Sequence, residues 1–97
     1  MAVRPETNMR LDLFLKASRL CLRRSVAQEL CDAGAVSVNG HVAKAGRAIR
    51  VGDEITIAKK NRVLTIRVEQ IPLVKQVSRA DASGLYSIKS DISLTEN

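Results

Sequence analysis

Leu11, Phe14, Leu15 and Ser18 fall at the i, i+3, i+4, i+7 spacing of one helical face. That spacing predicts a first helix over residues 10–19, with Leu11, Phe14 and Leu15 turned to the core. Asp12 lies in its first turn, where a carboxylate complements the helix dipole. Ser25, followed three residues later by Gln28, fits a capping box, so a second helix is expected over residues 26–33. Its buried face is Ala27, Leu30 and Cys31, and Gly34 is placed to end it in a left-handed conformation.

The period then shortens to two. Val36 and Val38 alternate with Ser37 before Asn39-Gly40, a dipeptide favoured in two-residue hairpin turns because both positions tolerate positive φ. His41 and Val42 begin the return strand, residues 44–50 read as basic and irregular, and Val51-Gly52-Asp53 reads as a turn. Ile55 and Ile57 alternate with Thr56, while Leu64, Ile66 and Val68 alternate with Thr65 and Arg67, with Lys60-Asn61-Arg62 turning between the two strands. These elements predict an α+β fold: two short helices packed on a small, mainly antiparallel sheet of about four strands. Residues 1–8 read as a flexible N-terminal arm, residues 9–72 as the folded domain and residues 73–97 as an extended, partly mobile C-terminal segment. Within that segment Ser78 is placed to cap a short turn ending at Gly84, Leu85 and Tyr86 to dock back on the core, and residues 89–97 to form a polar tail.

A chain of 97 residues suits one domain with one modest core. Charge adds direction to that picture. Of the net +6, the first fifty residues carry +5, from nine basic against four acidic side chains. So polarised an excess points to phosphate groups, of nucleic acid or of an anionic membrane, over a merely basic surface. No apolar run approaches the roughly 20 residues of a transmembrane helix, and the first ten residues lack a signal peptide's hydrophobic region, so a cytoplasmic protein is expected. Cys21 and Cys31 then read as reduced thiols filling apolar space. Metal would need further ligands, and the sole histidine, His41, lies far along the chain. No catalytic constellation emerges: no glycine-rich phosphate loop precedes a helix, Cys21 has no nearby imidazole, and Asp53 and Glu54 are ordinary solvated turn acids. Neither enzyme activity nor a cofactor is expected.

The basic constellation is stronger. Arg10, Lys16, Arg19, Arg23 and Arg24 crowd the two helices and their junction, and Arg24 precedes the expected start of the second helix, whose unpaired amides and dipole suit a phosphate oxygen. Lys44 and Arg47, with Arg50, extend the surface from the loop beyond the hairpin. Arginine's planar fork binds phosphate through two hydrogen bonds. The opposing possibility is that these arginines pair with Asp12, Glu29 or Asp32 on a solvated face. Phe14 and Tyr86 are the only aromatic rings and Phe14 suits the core, so recognition should follow the shape and phosphate pattern of folded RNA, not base stacking. Charge reversal at Arg10 or Arg24 is expected to weaken RNA binding and leave the fold intact.

The run RLDLFLKASRLCLRRSVAQELCDAGAVSVNGHVAKAG, with the later VGDEITI, resembles the RNA-binding domain named for bacterial small-subunit ribosomal protein S-four, also found in pseudouridylate synthases and tyrosyl-tRNA synthetases. The likeness covers residues 9–68 and lies in the order of elements: RLD, a helix, SR or RR before a capped helix, G-x-V-x-VNG, then VGD and a strand. Ala35 stands where the family usually has glycine. The resemblance implies the S-four-like αL fold. As a nearly free-standing domain with a Tyr-containing C-terminal segment, the chain is similar to ribosome quality-control factors of the RqcP type and, less closely, to heat-shock protein fifteen. What this implies is binding to large-subunit rRNA and peptidyl-tRNA on obstructed subunits, in support of the tail-adding factor RqcH as it extends the stalled chain with alanine. The family's functional arginines match Arg10 and Arg24; Arg19 and Arg23 are added on physical grounds. A monomer is expected when free, with no membrane partner. Heat-shock protein fifteen carries a long basic C-terminal extension and a tryptophan in its first helix, neither present here, yet a recycling factor of that type is one alternative. A module offering its basic face to an acidic protein is the other.

Overall fold

Val36, Val38, Ile55, Ile57, Leu64, Ile66 and Val68 line one face of a sheet and are all buried, the outcome that period-two alternation dictates when one face meets a core. The computed structural model describes residues 8–72 and 82–93. Its strands are β1 (Met9–Arg10), β2 (Val36–Val38), β3 (His41–Val42), β4 (Ala48–Ile49), β5 (Glu54–Lys59), β6 (Arg62–Val68) and β7 (Tyr86–Ser93). The helices are α1 (Leu11–Ala17) and α2 (Arg24–Asp32), and a 3-10 turn covers Ser83–Leu85. Five strands form one antiparallel sheet in the order β3-β2-β5-β6-β7, and β1 pairs with β4 separately. Register aligns Val38 with Ile55 and Ile55 with Ile66, while Val36 meets Ile57 and Ile57 meets Leu64. The opposite face carries hydroxyls: Ser37 opposes Thr56, Thr56 opposes Thr65 with their Oγ1 atoms 3.1 Å apart, and Thr65 opposes Ser90.

Helix α1 seats Leu11, Phe14 and Leu15 against the sheet, all fully buried, and α2 adds Ala27 and Cys31. The α+β architecture is as the patterning predicts. Helix α1 stops at Ala17, two residues short of the expected end: the Ser18 hydroxyl donates to the Leu15 carbonyl (3.2 Å), and Arg19 takes a left-handed φ of 63°. Helix α2 exits through Gly34 (φ 76°), whose amide donates to the Cys31 carbonyl while that of Ala35 donates to Leu30, the paired bonds of a Schellman motif. Gly34 absorbs the positive φ, so Ala35 needs no glycine at its own position.

The capping box does not form. Helix α2 begins at Arg24, Ser25 lies inside it, and Arg23 is an N-cap with no side-chain cap bond. Gln28 instead donates through Nε2 to Asp12, because a buried carboxylate needs a donor while a backbone amide at the helix start can donate to water.

The hairpin turn at Asn39-Gly40, with φ of 52° and 87°, serves more than its own strands. Asn39 accepts from the Glu54 amide (3.0 Å) and donates to Asp53 (3.1 Å), and Asp53 accepts from the Arg50 amide (2.9 Å). The VNG and VGD segments are therefore one hydrogen-bonded corner. Residues 44–50 are not wholly irregular, since Ala48 and Ile49 pair with Arg10 and Met9. Lys89 to Ser93, expected in a mobile polar tail, belong to β7, where pairing satisfies the backbone edge of β6 and Arg62 clasps Asp91 at 2.7 Å. Leu85 and Tyr86 do pack on the core. The expected cap at Ser78 and most of the N-terminal arm lie outside the described residues.

Among the described residues Phe14 is the largest fully buried side chain. Phe14→Ala is expected to lower stability by about 3 to 5 kcal/mol, read as a shift in the urea unfolding midpoint, with RNA binding lost only in proportion to unfolding.

Candidate nucleic-acid interface

Asp12 is fully buried, one residue into α1, and its carboxylate is the meeting point of three chain segments. Arg10, from β1, donates to it through Nε (3.1 Å) and Nη2 (3.2 Å); Arg24, the first residue of α2, donates through Nε (3.0 Å); Gln28, one turn on, donates through Nε2 (3.0 Å). The Leu13 amide closes the set at 2.8 Å. Burial pushes the Asp12 carboxyl up, but the hydrogen bonds from Arg10, Gln28 and Arg24 outweigh it and hold the group at about 2. Asp12 in turn raises Arg10 further.

The start of α1 also recruits the basic loop. The amides of Leu11 and Asp12 donate to the carbonyls of Arg47 (2.8 Å) and Ala45 (3.1 Å), so Lys44 and Arg47 flank a segment anchored to the helix. Between them Gly46 lies against the Arg10 guanidinium, whose Cζ is 3.9 Å from where a Cβ at that position would stand, an ordinary van der Waals contact. Arg10, Arg24, Lys44 and Arg47 are thereby tied to one corner. Arg23 adjoins it as the N-cap of α2. Lys16 and Arg19, both exposed, belong to the far end of α1.

The possibility that Arg10 and Arg24 pair with Asp12 is thus realised, though not on a solvated face. Their side chains remain 48% and 43% exposed while their acid is sealed, so Nη1 of Arg10 and both Nη groups of Arg24 are not engaged with it. Reversing either charge would set a second anion beside Asp12, and the expectation of an intact fold after such a change is withdrawn. Sequence reasoning named Asp12 as a possible partner on a solvated face, not as the buried centre of the site, and missed Gln28. The available signal was angular: Asp12 borders the arc of Leu11 and Leu15 on the helical wheel and so lies at the edge of the core.

Cys21 and Cys31 are buried and unpaired, and burial pushes both thiols up, Cys31 to about 11, which keeps them protonated at neutral pH. Among the described residues no three metal-ligating side chains cluster, and no helix is long and apolar enough to cross a membrane.

Comparison with known proteins identifies relatives of the chain. The S4 domain family model matches residues 9–55. The chain is 42% identical to the RQC P-site tRNA stabilizing factor of Halalkalibacterium halodurans over 86% of its own length and 92% of that protein. It is 39% identical to the factor of the same name from Bacillus subtilis, over 91% of its length and all of that protein. The solved trimeric structure of Vibrio cholerae heat shock protein 15 superposes with a TM-score of 0.77 at 30% identity, covering 87% of this chain and 84% of that one.

Because the folded state holds Asp12 at about 2, below the ordinary 3.8, its contribution is complete above about pH 4 and is lost as pH falls through 2. The shift corresponds to about 2 kcal/mol. Asp12→Asn should therefore lower stability at pH 7 by about 2 kcal/mol and flatten the fall between pH 4 and pH 2, measured as the difference between wild-type and variant urea curves at each pH.

Proposed function

The chain belongs to the S4-domain family of RQC P-site tRNA stabilizing factors, and from that premise we propose that it binds tRNA and ribosomal RNA on obstructed large ribosomal subunits. There it supports ribosome-associated quality control by positioning RNA, without chemistry of its own, and assists RqcH in alanine tailing of the stalled chain. It works in the cytoplasm and is a monomer when free. The observation that carries this reading is the pair Arg10 and Arg24, held on a buried acid yet half exposed, beside the N-terminus of α2 and the Lys44–Arg47 loop. Lys16, Arg19 and Arg23 extend the same charge. Burial of Phe14 supports recognition through phosphates and shape over base stacking.

The likeness to heat shock protein 15 favours a second reading, a factor that recycles stalled large subunits. Loss of alanine tails from stalled chains when the protein is deleted supports the first reading. Peptidyl-tRNA accumulating on free subunits with tails unchanged supports the second.

The purified protein should travel with free large subunits in a sedimented lysate. If about four to six phosphates are neutralised, log affinity for folded RNA should fall with log salt at a slope of roughly −3 to −5, and polyuridine should bind more weakly. Arg23→Glu should make that slope shallower by about one to two. An acid at the N-cap of α2 suits the helix dipole, so the fold is expected to survive the change, which circular dichroism checks. A salt-independent affinity would favour an acidic protein partner instead.

A further inference from the structure

Arg10 and Arg24 are fourteen positions apart and sit on different elements, yet both turn Nε to the same carboxylate. That carboxylate cannot swing, because the Leu13 amide fixes Oδ1 and the Gln28 side chain fixes Oδ2. We propose that Asp12 is a positioning residue for RNA binding: it clamps Arg10 and Arg24 into one preformed phosphate-binding unit whose remaining Nη donors face outward. The inference rests on the RNA-binding reading above.

An acid inside a polyanion site carries an apparent penalty, since it cancels one positive charge. Bulk electrostatics therefore predicts that removing it, which raises the net charge from +6 to +7, tightens RNA binding. Preorganisation predicts the opposite. Two arginines freed from their clamp must each be immobilised when phosphate arrives, and that ordering subtracts from affinity. Arginine suits such a clamp because one edge of its fork can be held while the other stays open, as Arg24 does by committing only Nε. The opposite signs separate the two accounts.

Affinity for large ribosomal subunits and for deacylated tRNA would be measured with wild-type protein and Asp12→Asn, at a temperature where circular dichroism shows both folded. Binding about tenfold weaker in Asp12→Asn is expected, despite its added positive charge. In the Arg24→Gln background the same substitution should cost only about twofold, because half of the clamp is already gone. Unchanged or tighter binding by Asp12→Asn overturns the proposal, as does an undiminished tenfold loss in the Arg24→Gln background, which marks a purely structural role. Should Asp12→Asn not fold, the wild-type protein decides: slowly exchanging Nε–H resonances for both Arg10 and Arg24 support the clamp, and resonances lost to rapid exchange with water overturn it. Failure of wild-type protein to bind either RNA removes the RNA-binding reading itself, and this inference with it.

Discussion

A carboxylate taken out of water keeps its charge only if its lone pairs find donors, and otherwise it takes up a proton. Asp12 meets that condition with Arg10, Arg24, Gln28 and the Leu13 amide, drawn from β1, α1 and α2. The mutual placement of β1, α1, α2 and the loop of residues 44–47 follows from this requirement. Helix α2 must present its first turn to α1, β1 must run directly into the helix, and the loop carrying Lys44 and Arg47 must come close enough for its carbonyls to receive the first amides of α1. Hydrophobic burial alone would fix the sheet and leave the approach of these three segments loosely specified, because burial has no direction. The ionic hub supplies direction.

The sheet and the helix ends were legible where the determining physics is local. Val36 to Val42 reads directly as a hairpin because Asn39-Gly40 restricts φ within two residues, and Gly34 marks a helix exit for the same kind of reason. Ile55, Ile57, Leu64, Ile66 and Val68 declare their face by alternation. What escaped local reading depends on pairing across long separations. The strand Ala48–Ile49 exists because Met9 and Arg10 lie beside it, and Tyr86–Ser93 is a strand because β6 offers it an edge. Its own sequence, YSIKSDIS, carries little hydrophobic signal.

The candidate site divides the same way. Which arginines cluster near the helix junction can be read from spacing, and the resemblance to the S4 domain added Arg10 and Arg24 as the pair that matters. That those two share one acid could not be read, since Ser25 and Gln28 satisfy a local capping pattern equally well. The electrostatic demand of Asp12 settles where Gln28 points: the side chain turns to give Nε2–H to the buried carboxylate instead of offering its oxygen to a helix-start amide that water can reach. Where a local motif and a buried charge claim the same side chain, the buried charge has more to lose.

Arg19 closes α1 in the left-handed region, a place where glycine would spare the backbone on the order of 1 kcal/mol. An arginine there keeps a cation at the junction between the helices at that backbone cost. Glycine at position 19 would relieve the backbone and strip a cation from the junction between the helices. Thermal robustness and surface charge are thus in opposition at a single residue, and the chain as it stands has kept the charge.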